Sequence, residues 1–322
     1  LLGESHPDVA TSLNNLASLY DSQGRYSEAE PLFQQALALR RQLVGESHPD
    51  VATNLNNLAL LYDSQGRYSE AEPLYLQALA LRRQLLGESH PDVATSLNNL
   101  ASLYDSQGRY SEAEPLHLQA LALRRQLLGE SHPSVATSLN NLALLYNTQG
   151  RYSEAEPLFQ QALALLRQLL GESHPSVASS LNNLALLYKS QGRYSEAEPL
   201  FQQALALLRK LVGESHPNVA ASLNNLAHLY DSQGRYSEAE PLYLQALALK
   251  RQLLGESHPS VALSLNNLAK LYYLQGRYTE AEPLYLQALE IFKQQLGVNH
   301  PRTMECSQNL ADLRDRIPPN QE

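Results

Sequence analysis

A 42-residue repeat constrains the fold of this chain more than any other feature. The stretch "LNNLASLYDSQGRYSEAEPL" begins at Leu13, and near copies of it begin at Leu55, Leu97, Leu139, Leu181, Leu223 and Leu265. The first two copies, residues 1–42 and 43–84, differ at only five positions. A fixed period between about 20 and 50 residues indicates an array in which each unit packs on its neighbours. The array replaces the two or so globular domains that length alone would suggest.

The repeat also sets the expected domain organisation. We predict a single solenoid domain over residues 1–322, in which 295–322 form a partial repeat that supplies a C-terminal capping helix and a tail. The seven full repeats are 1–42, 43–84, 85–126, 127–168, 169–210, 211–252 and 253–294. The first repeat has no polar cap of its own. We therefore expect the natural chain to continue upstream, or this end to associate with another copy.

The first half of each repeat has the pattern of an amphipathic helix. In the first copy, apolar residues recur three or four positions apart, at Val9, Leu13, Leu16 and Tyr20. This spacing places them on one face of a helix. Gly24 follows the pattern, and a glycine just past an apolar stripe is a common helix stop. The sequence therefore predicts a first helix that ends near Gly24.

The second half of each repeat predicts another helix. Phe33 and Ala36 belong to its apolar stripe, and Ser27 and Glu30 have the S-x-x-E spacing of a capping box. With Ser27 as the N-cap, Pro31 would remove an early hydrogen bond, so we expect a small kink or a shifted helix start. Since neither helix can bury its stripe alone, successive pairs must stack, and we predict an all-α solenoid of helix pairs.

These residues carry a family resemblance. The spacing of Leu16, Tyr20, Gly24, Phe33 and Ala36 resembles that of the tetratricopeptide repeat. The 42-residue period and the words "HPDVATSLNNLASLY" and "GRYSEAEPLFQQALAL" resemble the variant found in kinesin light chains and their bacterial relatives. The resemblance implies a right-handed superhelix of antiparallel helix pairs. It also implies a non-catalytic scaffold that binds extended peptides in a concave groove lined by the first helices.

Paired asparagines mark the polar side of every first helix. The pairs are Asn14/Asn15, Asn56/Asn57, Asn98/Asn99, Asn140/Asn141, Asn182/Asn183, Asn224/Asn225 and Asn266/Asn267. An amide side chain offers both donors and an acceptor, so a row of amides can hold the backbone of an extended peptide. Alternatively, one asparagine of each pair bonds to the neighbouring repeat and never meets a ligand. Both interpretations stay open at the level of sequence.

Two positions on the same helix vary between repeats and are candidates for specificity. The position of Ser18 is filled by Ser18, Leu60, Ser102, Leu144, Leu186, His228 and Lys270. The position of Asp21 is filled by Asp21, Asp63, Asp105, Asn147, Lys189, Asp231 and Tyr273. We hypothesise that basic residues of a peptide meet the aspartates of the first three repeats, and acidic or aromatic residues meet the last three. Unselected drift of surface positions is the alternative.

Several recurring residues resemble chemical sites. Eight histidines precede the proline of each first helix: His6, His48, His90, His132, His174, His216, His258 and His300. Each is a full repeat from the next, too far for one metal ion, so we interpret them as packing or capping residues at the turns. Glu28 and Glu30 fit first-turn positions that favour acidic residues. Because every candidate set is repeated, whereas an active site is singular, we expect no enzyme, no metal and no cofactor.

Composition limits the partners. The net charge is −9, which argues against nucleic acid, and no apolar run is long enough to span a membrane. The single Cys306 excludes an intramolecular disulfide and fits a cytoplasmic protein. We therefore expect a protein or peptide ligand. The alternative function is a structural spacer or self-assembling rod, attached to a missing effector domain and associating through the uncapped N-terminal repeat.

Overall fold

The computed structural model of the protein describes residues 6–316, whose regular secondary structure is entirely α-helical. The first helices of the repeats are α1 (Pro7–Ser22), α3 (Pro49–Ser64), α5 (Pro91–Ser106), α7 (Pro133–Thr148), α9 (Pro175–Ser190), α11 (Pro217–Ser232), α13 (Pro259–Leu274) and α15 (Pro301–Arg314). The second helices are α2 (Tyr26–Val44), α4 (Tyr68–Leu86), α6 (Tyr110–Leu128), α8 (Tyr152–Leu170), α10 (Tyr194–Val212), α12 (Tyr236–Leu254) and α14 (Tyr278–Leu296). The predicted all-α fold of repeating helix pairs is confirmed.

The chain divides into two compact units, Leu1–Leu169 and Leu170–Glu322. The helices α1–α8 build the first unit, and α9–α15 build the second. In the first unit α2, α4 and α6 each pack against the first helix of their own repeat and against that of the next, and in the second unit α10, α12 and α14 do the same. None of the fifteen helices between residues 6 and 316 combines the length and the apolar character needed to cross a membrane.

The periodic histidines cap the first helices. His48 has an extended backbone, and its Nδ1 accepts a hydrogen bond from the backbone N–H of Asp50 at 3.1 Å. Pro49 occupies the first helical position, where its missing N–H costs nothing. Equivalent bonds of 3.0–3.2 Å occur at the starts of the other first helices. The interpretation of these histidines as capping residues is confirmed.

The predicted capping box of the second helix is wrong. In the first repeat the N-cap is Arg25, which makes no side-chain cap bond, and the helix already begins at Tyr26. The chain turns at once because Gly24 adopts a φ of 70°, a left-handed conformation that favours glycine. The start is thus shifted, as the position of Pro31 led us to expect. Pro31 then lies inside the helix, and Ser27 has no capping role.

The core extends further around the first helices than one stripe predicts. In α3, the stripe residues Val51, Leu55 and Ala59 are fully buried. Leu61 is also fully buried, although the helical periodicity places it outside that stripe. The reason is that α3 packs against both α2 and α4, so two of its faces are covered. The solvent-exposed face of the first helices in interior repeats is therefore narrow.

Within each unit, a polar contact that we call the inter-repeat tie joins second helices to the following repeat. In the second repeat, Glu72 accepts hydrogen bonds from Arg109 Nη1 at 2.7 Å and from Tyr104 Oη at 3.0 Å. The guanidinium of Arg109 also lies 4.0 Å from the ring centroid of Tyr104, a cation–π contact. The same tie forms at Glu30, Glu114, Glu198 and Glu240. Glu30 therefore contacts the next repeat instead of capping its own helix.

The last helix, α15, closes the described part of the chain. Cys306 and Leu310 are buried against the preceding helix pair, while Met304 is 60% exposed. Burial raises the pKa of the Cys306 thiol to about 12, so the thiol stays protonated. A helix is thus present at 301–314, inside the predicted partial repeat 295–322, and its role as a cap stays a prediction. The rest of the tail predicted to follow it, residues 317–322, lies outside the described residues.

Candidate functional site

The two variable positions of the first helices lie at the surface. We call the side chains equivalent to Ser18 and Asp21 the variable surface. At the position of Ser18, every residue is exposed or half-buried; Leu60 and His228 are exposed, and Leu144 is half-buried. At the position of Asp21, all seven residues are half-buried. Both positions are therefore accessible, whereas most of the first helix around them is not.

The paired asparagines lie beside this surface, where they bond repeat to repeat. The Nδ2 of Asn99 donates to the Oδ1 of Asn56 at 2.8 Å, linking α5 to α3. The same bond, at 2.8–3.2 Å, joins Asn57 to Asn14, Asn141 to Asn98, Asn267 to Asn224, and Asn309 to Asn266. Tying neighbouring repeats together is one of the two roles expected from the sequence.

One asparagine of the second unit departs from this pattern. Asn225 is half-buried and donates no such bond within the described part of that unit. The hydroxyl of Ser222 takes the place of Asn225 and donates to the Oδ1 of Asn182 at 3.5 Å. The row of paired asparagines is therefore less uniform than the sequence suggests. For Asn183 and Asn225, a role in holding a ligand stays a prediction.

The bonds between repeats use only part of each amide. An asparagine side chain has two N–H donors and an oxygen with two lone pairs, and each such bond uses one group on each partner. The asparagines nevertheless differ in accessibility. Asn15 is exposed, whereas Asn56 is only 7% exposed and Asn266 only 5%. Among the bonded asparagines, the hydrogen-bonding capacity that remains is therefore greatest at half-buried members with one such bond, such as Asn57 and Asn224.

In the first unit the variable surface is acidic and unpaired. Asp21, Asp63 and Asp105 are half-buried, and none of them forms an ion pair with a residue in the range 6–316. Desolvation by burial raises the pKa of all three carboxyls, that of Asp63 to about 6. One oxygen of Asp105 is buried without a hydrogen-bond partner in the described residues. A cation brought to this surface would therefore meet carboxylates that lack a counter-charge.

In the second unit the variable surface carries cations. Lys189, His228 and Lys270 come from α9, α11 and α13, and the charges of the two lysines act on Asp231 of α11. The Nδ1 of His228 lies 3.9 Å from the Oδ2 of Asp231. Burial lowers the pKa of Lys189 and of His228, and the charge of Lys189 lowers the pKa of His228 further. The predicted basic candidates are thus brought together, with an aspartate among them.

An aromatic pair lies next to these cations in sequence. Tyr273 on α13 stacks at a tilt against Tyr278 at the start of α14, with ring centroids 5.7 Å apart.

The apolar candidates are Leu60 and Leu144 in the first unit and Leu186 in the second. They belong to the variable surface without contributing charge. The described residues contain no group of three or more His, Cys, Asp or Glu side chains placed to hold a metal ion.

The sequence analysis did not identify the buried side chains of the second helices that lie beneath the variable surface. Tyr75 and Tyr243 are almost fully buried, and the charges of Asp63 and Asp231 help to keep their pKa values high, after the larger effect of burial. His117, at the same position, has its Nδ1 3.2 Å from the Oδ1 of Asn98, and burial lowers its pKa to about 4. The available signal was the variation among Phe, Tyr and His at this position.

Comparison of the chain with known families gives one consistent result. Models described as tetratricopeptide repeat match residues 9–50 and, in overlapping windows, residues 50–126, 92–168, 134–210, 176–252, 218–294 and 260–317. Together these matches cover nearly the whole chain. No curated protein matches the sequence.

Solved structures resemble the chain over most of its length. A putative kinesin light chain with nearly identical repeats, from Podosopora anserina, is 33% identical with a TM-score of 0.51, over 64% of this chain and 97% of that one. BtubC (BKLC) from P. vanneervenii is 26% identical with a TM-score of 0.54, over 78% and 94%. A tetratricopeptide repeat protein from Parabacteroides merdae is 20% identical with a TM-score of 0.58, over 97% and 100%, and supports the fold alone.

Proposed function

The chain belongs to the tetratricopeptide repeat family, and from that premise we propose that it is a non-catalytic scaffold that binds an extended segment of a protein partner along the variable surface. One observation carries the proposal: among nearly identical repeats, the accessible positions that take the widest range of residues, including those of Ser18 and Asp21, lie on the first helices. The asparagines beside them hold the partner's backbone with the amide groups that the bonds between repeats leave over. The lone, buried thiol of Cys306 suits a cytoplasmic location.

The charges of the variable surface give the partner a matching pattern. Asp21, Asp63 and Asp105 of the first unit would pair with basic residues, and a cation beside them would oppose the effect of burial, which raises the pKa values of these carboxyls. Lys189 and Lys270 of the second unit would pair with acidic residues. Nucleic acid does not fit this pattern, because the chain has a net charge of −9 and its first unit presents carboxylates. The partner is therefore a protein segment of mixed charge.

A peptide-array screen tests the proposal, provided that the variants leave the bonds between repeats intact. Replacing asparagines would break those bonds, so the informative variant is Leu60→Ser with Leu144→Ser, which installs the residue of Ser18 and Ser102. The matched control is Leu76→Gln with Leu118→Gln. Both control leucines are exposed on second helices, at 44% and 45%, and glutamine fills the same position in other repeats.

We expect the wild-type chain to bind a sequence-selective set of peptides. The variable-surface variant should lose the peptides with apolar residues or change its selection, because the apolar contacts are gone, while the second-helix control binds as the wild type does. Absence of binding above background, with the helical circular dichroism intact, would contradict the proposal. That outcome would favour a spacer.

A second candidate function, self-association, is favoured by the exposed face of α1. Leu16 and Leu19 are 39% and 50% exposed, whereas their equivalents in the next repeat, Leu58 and Leu61, are 4% and 0% exposed. A shallow apolar cavity is lined in part by Val9, Leu13 and Leu16 on this face. Sedimentation over a range of concentrations should show association that Leu16→Glu abolishes. A strict monomer at high concentration would rule this candidate out.

A further inference from the structure

Four titratable side chains belong to the variable surface of the second unit. Lys189 comes from α9, His228 and Asp231 from α11, and Lys270 from α13, so three successive first helices contribute. The Nδ1 of His228 lies 3.9 Å from the Oδ2 of Asp231, and the charges of both lysines act on these two groups. The first unit has no such combination, because the equivalent positions there hold only Ser, Leu, Asp and Asn.

Asp231 is the unusual member of this cluster. Its side chain is only 8% exposed, and its Oδ1 is buried without a hydrogen-bond partner in the described residues. A buried polar atom without a partner is costly and calls for a physical reason. Lys189 shows the complementary deficit, because this half-buried ammonium makes no hydrogen bond or ion pair within residues 6–316. The cluster thus contains both an unpaired acceptor and an unpaired donor.

We propose that this cluster is a proton-linked anion subsite, which holds one acidic group of the bound partner between Lys189, His228 and Lys270. The acidic group is a side-chain carboxylate or a phosphate ester, and the inference rests on the proposed function in that the partner supplies it. Ionised Asp231 opposes the incoming anion. Binding therefore favours uptake of a proton from solvent, by the imidazole of His228 or by the unpartnered oxygen of Asp231, which can then donate to the anion.

Protonation of His228 and protonation of Asp231 both favour binding of an anion. Burial and Lys189 keep the pKa of free His228 below its ordinary value, so the ring is neutral at pH 7, and an anion beside it raises that pKa. Burial raises the pKa of Asp231, and an anion raises it further. Tyr243 of α12 faces the same carboxylate but stays neutral because its pKa is raised. Affinity for an anion should therefore rise as the pH falls from about 7 toward 5.

The test follows the His228 ring by nuclear magnetic resonance in sulfate and in chloride at matched ionic strength. Sulfate is the first probe because its charge is constant over this pH range, and acetate and methyl phosphate then distinguish carboxylate from phosphate ester. His216, which caps the same helix, serves as the internal control. We expect sulfate to raise the pKa of His228 by about half a unit or more, while that of His216 is unchanged.

Two variants sharpen the test. Lys189→Asp, which installs the residue found at Asp63, should remove the sulfate effect, whereas Lys210→Asp makes the same charge change at an exposed site on α10 and should preserve it. Asp231→Asn, which installs the residue found at Asn147, should strengthen sulfate binding at pH 7.5 and reduce its pH dependence. The variant Asp231→Asn has nearly the same shape as wild type, so it keeps the test informative if Lys189→Asp fails to fold.

Equal shifts of His228 and His216, or no shift of either, would overturn the anion subsite. These outcomes are separable from the fate of the scaffold proposal. A selective sulfate effect without peptide binding on arrays would leave the subsite standing and remove its proposed partner. Selective peptide binding without a sulfate effect would leave the scaffold standing and remove the subsite.

Discussion

Asp63 on the variable surface combines a cost to the stability of the free protein with a proposed role in binding a partner. Its carboxyl is half-buried, lacks an ion-pair partner among the described residues, and has a pKa raised by desolvation to about 6. The uncharged Asn147 fills the same position two repeats later and avoids the cost of burying a charge, although its Oδ1 is also buried without a hydrogen-bond partner in the described residues. A residue retained at a cost to stability is a reasonable place to look for a partner, since binding of a cation would offset that cost.

We predict that Asp63→Asn stabilises the free protein at neutral pH. The folded-state pKa of Asp63 lies above the unfolded value of about 3.9, so the folded state holds more protons between about pH 4 and pH 6. Ionised Asp63 therefore reduces stability as the pH rises through this window. The variant should gain roughly 1 kcal/mol at pH 7, after allowance for solvent screening, and nothing below about pH 4.

Thermal unfolding followed at several pH values measures this effect. The reciprocal change, Asn147→Asp, is the matched control and should lower the melting temperature at pH 7 but leave it unchanged at low pH. A gain for Asp63→Asn that is independent of pH would mean that ionisation of this carboxyl is not the cause.

At the scale of the helix, the inter-repeat tie sets how firmly one repeat holds the next. Arg109 bonds two glutamates in different ways: Glu72 belongs to the preceding repeat, whereas Glu112 lies three residues along in the helix that Arg109 caps. The side chain of Glu72 is 27% exposed and also accepts the Tyr104 hydroxyl, while Glu112 is 50% exposed. Hydrogen bonding to Arg109 lowers the pKa of both carboxyls.

We predict that Glu72→Ala loosens the junction between α4 and α5 more than Glu112→Ala does. Removing Glu72 leaves both the guanidinium and the Tyr104 hydroxyl without their acceptor, which should cost about 1 kcal/mol. By hydrogen exchange, amides of α5 and α6 should then open about fivefold more often. Glu112→Ala should have a smaller effect, because that pair is local to one helix. Equal effects of the two variants would show that the tie adds nothing beyond an ordinary surface ion pair.

The sequence predicted individual helices better than it predicted the contacts between them. The histidine caps and the glycine stops could be identified, because a helix terminus depends on residues next to each other in the chain. The role of Glu30 could not be identified, because its partners Tyr62 and Arg67 lie 32 and 37 residues further along the chain. In a consensus repeat, a residue that contacts its own helix recurs as regularly as one that contacts the neighbouring repeat. The repeat pattern therefore does not distinguish the two. The burial of Leu61 was not predicted for the same reason, because it depends on the helices that pack against α3.

The candidate surface was predictable only in part. The variable positions could be selected because variation among near-identical copies stands out, and the structure places them at accessible sites. The bonds that join Asn57 to Asn14 and its equivalents were only one of two options, because an amide suits a neighbouring repeat and a ligand equally well. The burial of Asp231 could not be foreseen, since its position also holds Lys189 and Tyr273.

At the scale of the whole molecule, one short unit repeated seven times separates stability from specificity. The constant positions build the caps, the ties and most of the core, and stability accumulates from neighbour to neighbour. The variable surface can then change its side chains without disturbing that framework. This separation requires that a partner be held by the first helices and not by the outer faces of the second helices.

Site-specific photo-crosslinking tests this claim most directly. A photoreactive amino acid would replace Ser102 on the variable surface or, as the control, the exposed Gln119 on α6. Each form is then illuminated with a peptide selected on the array. The account predicts a covalent adduct from position 102 and none above background from position 119. Adducts from position 119 alone would place the partner on the second helices and contradict the account.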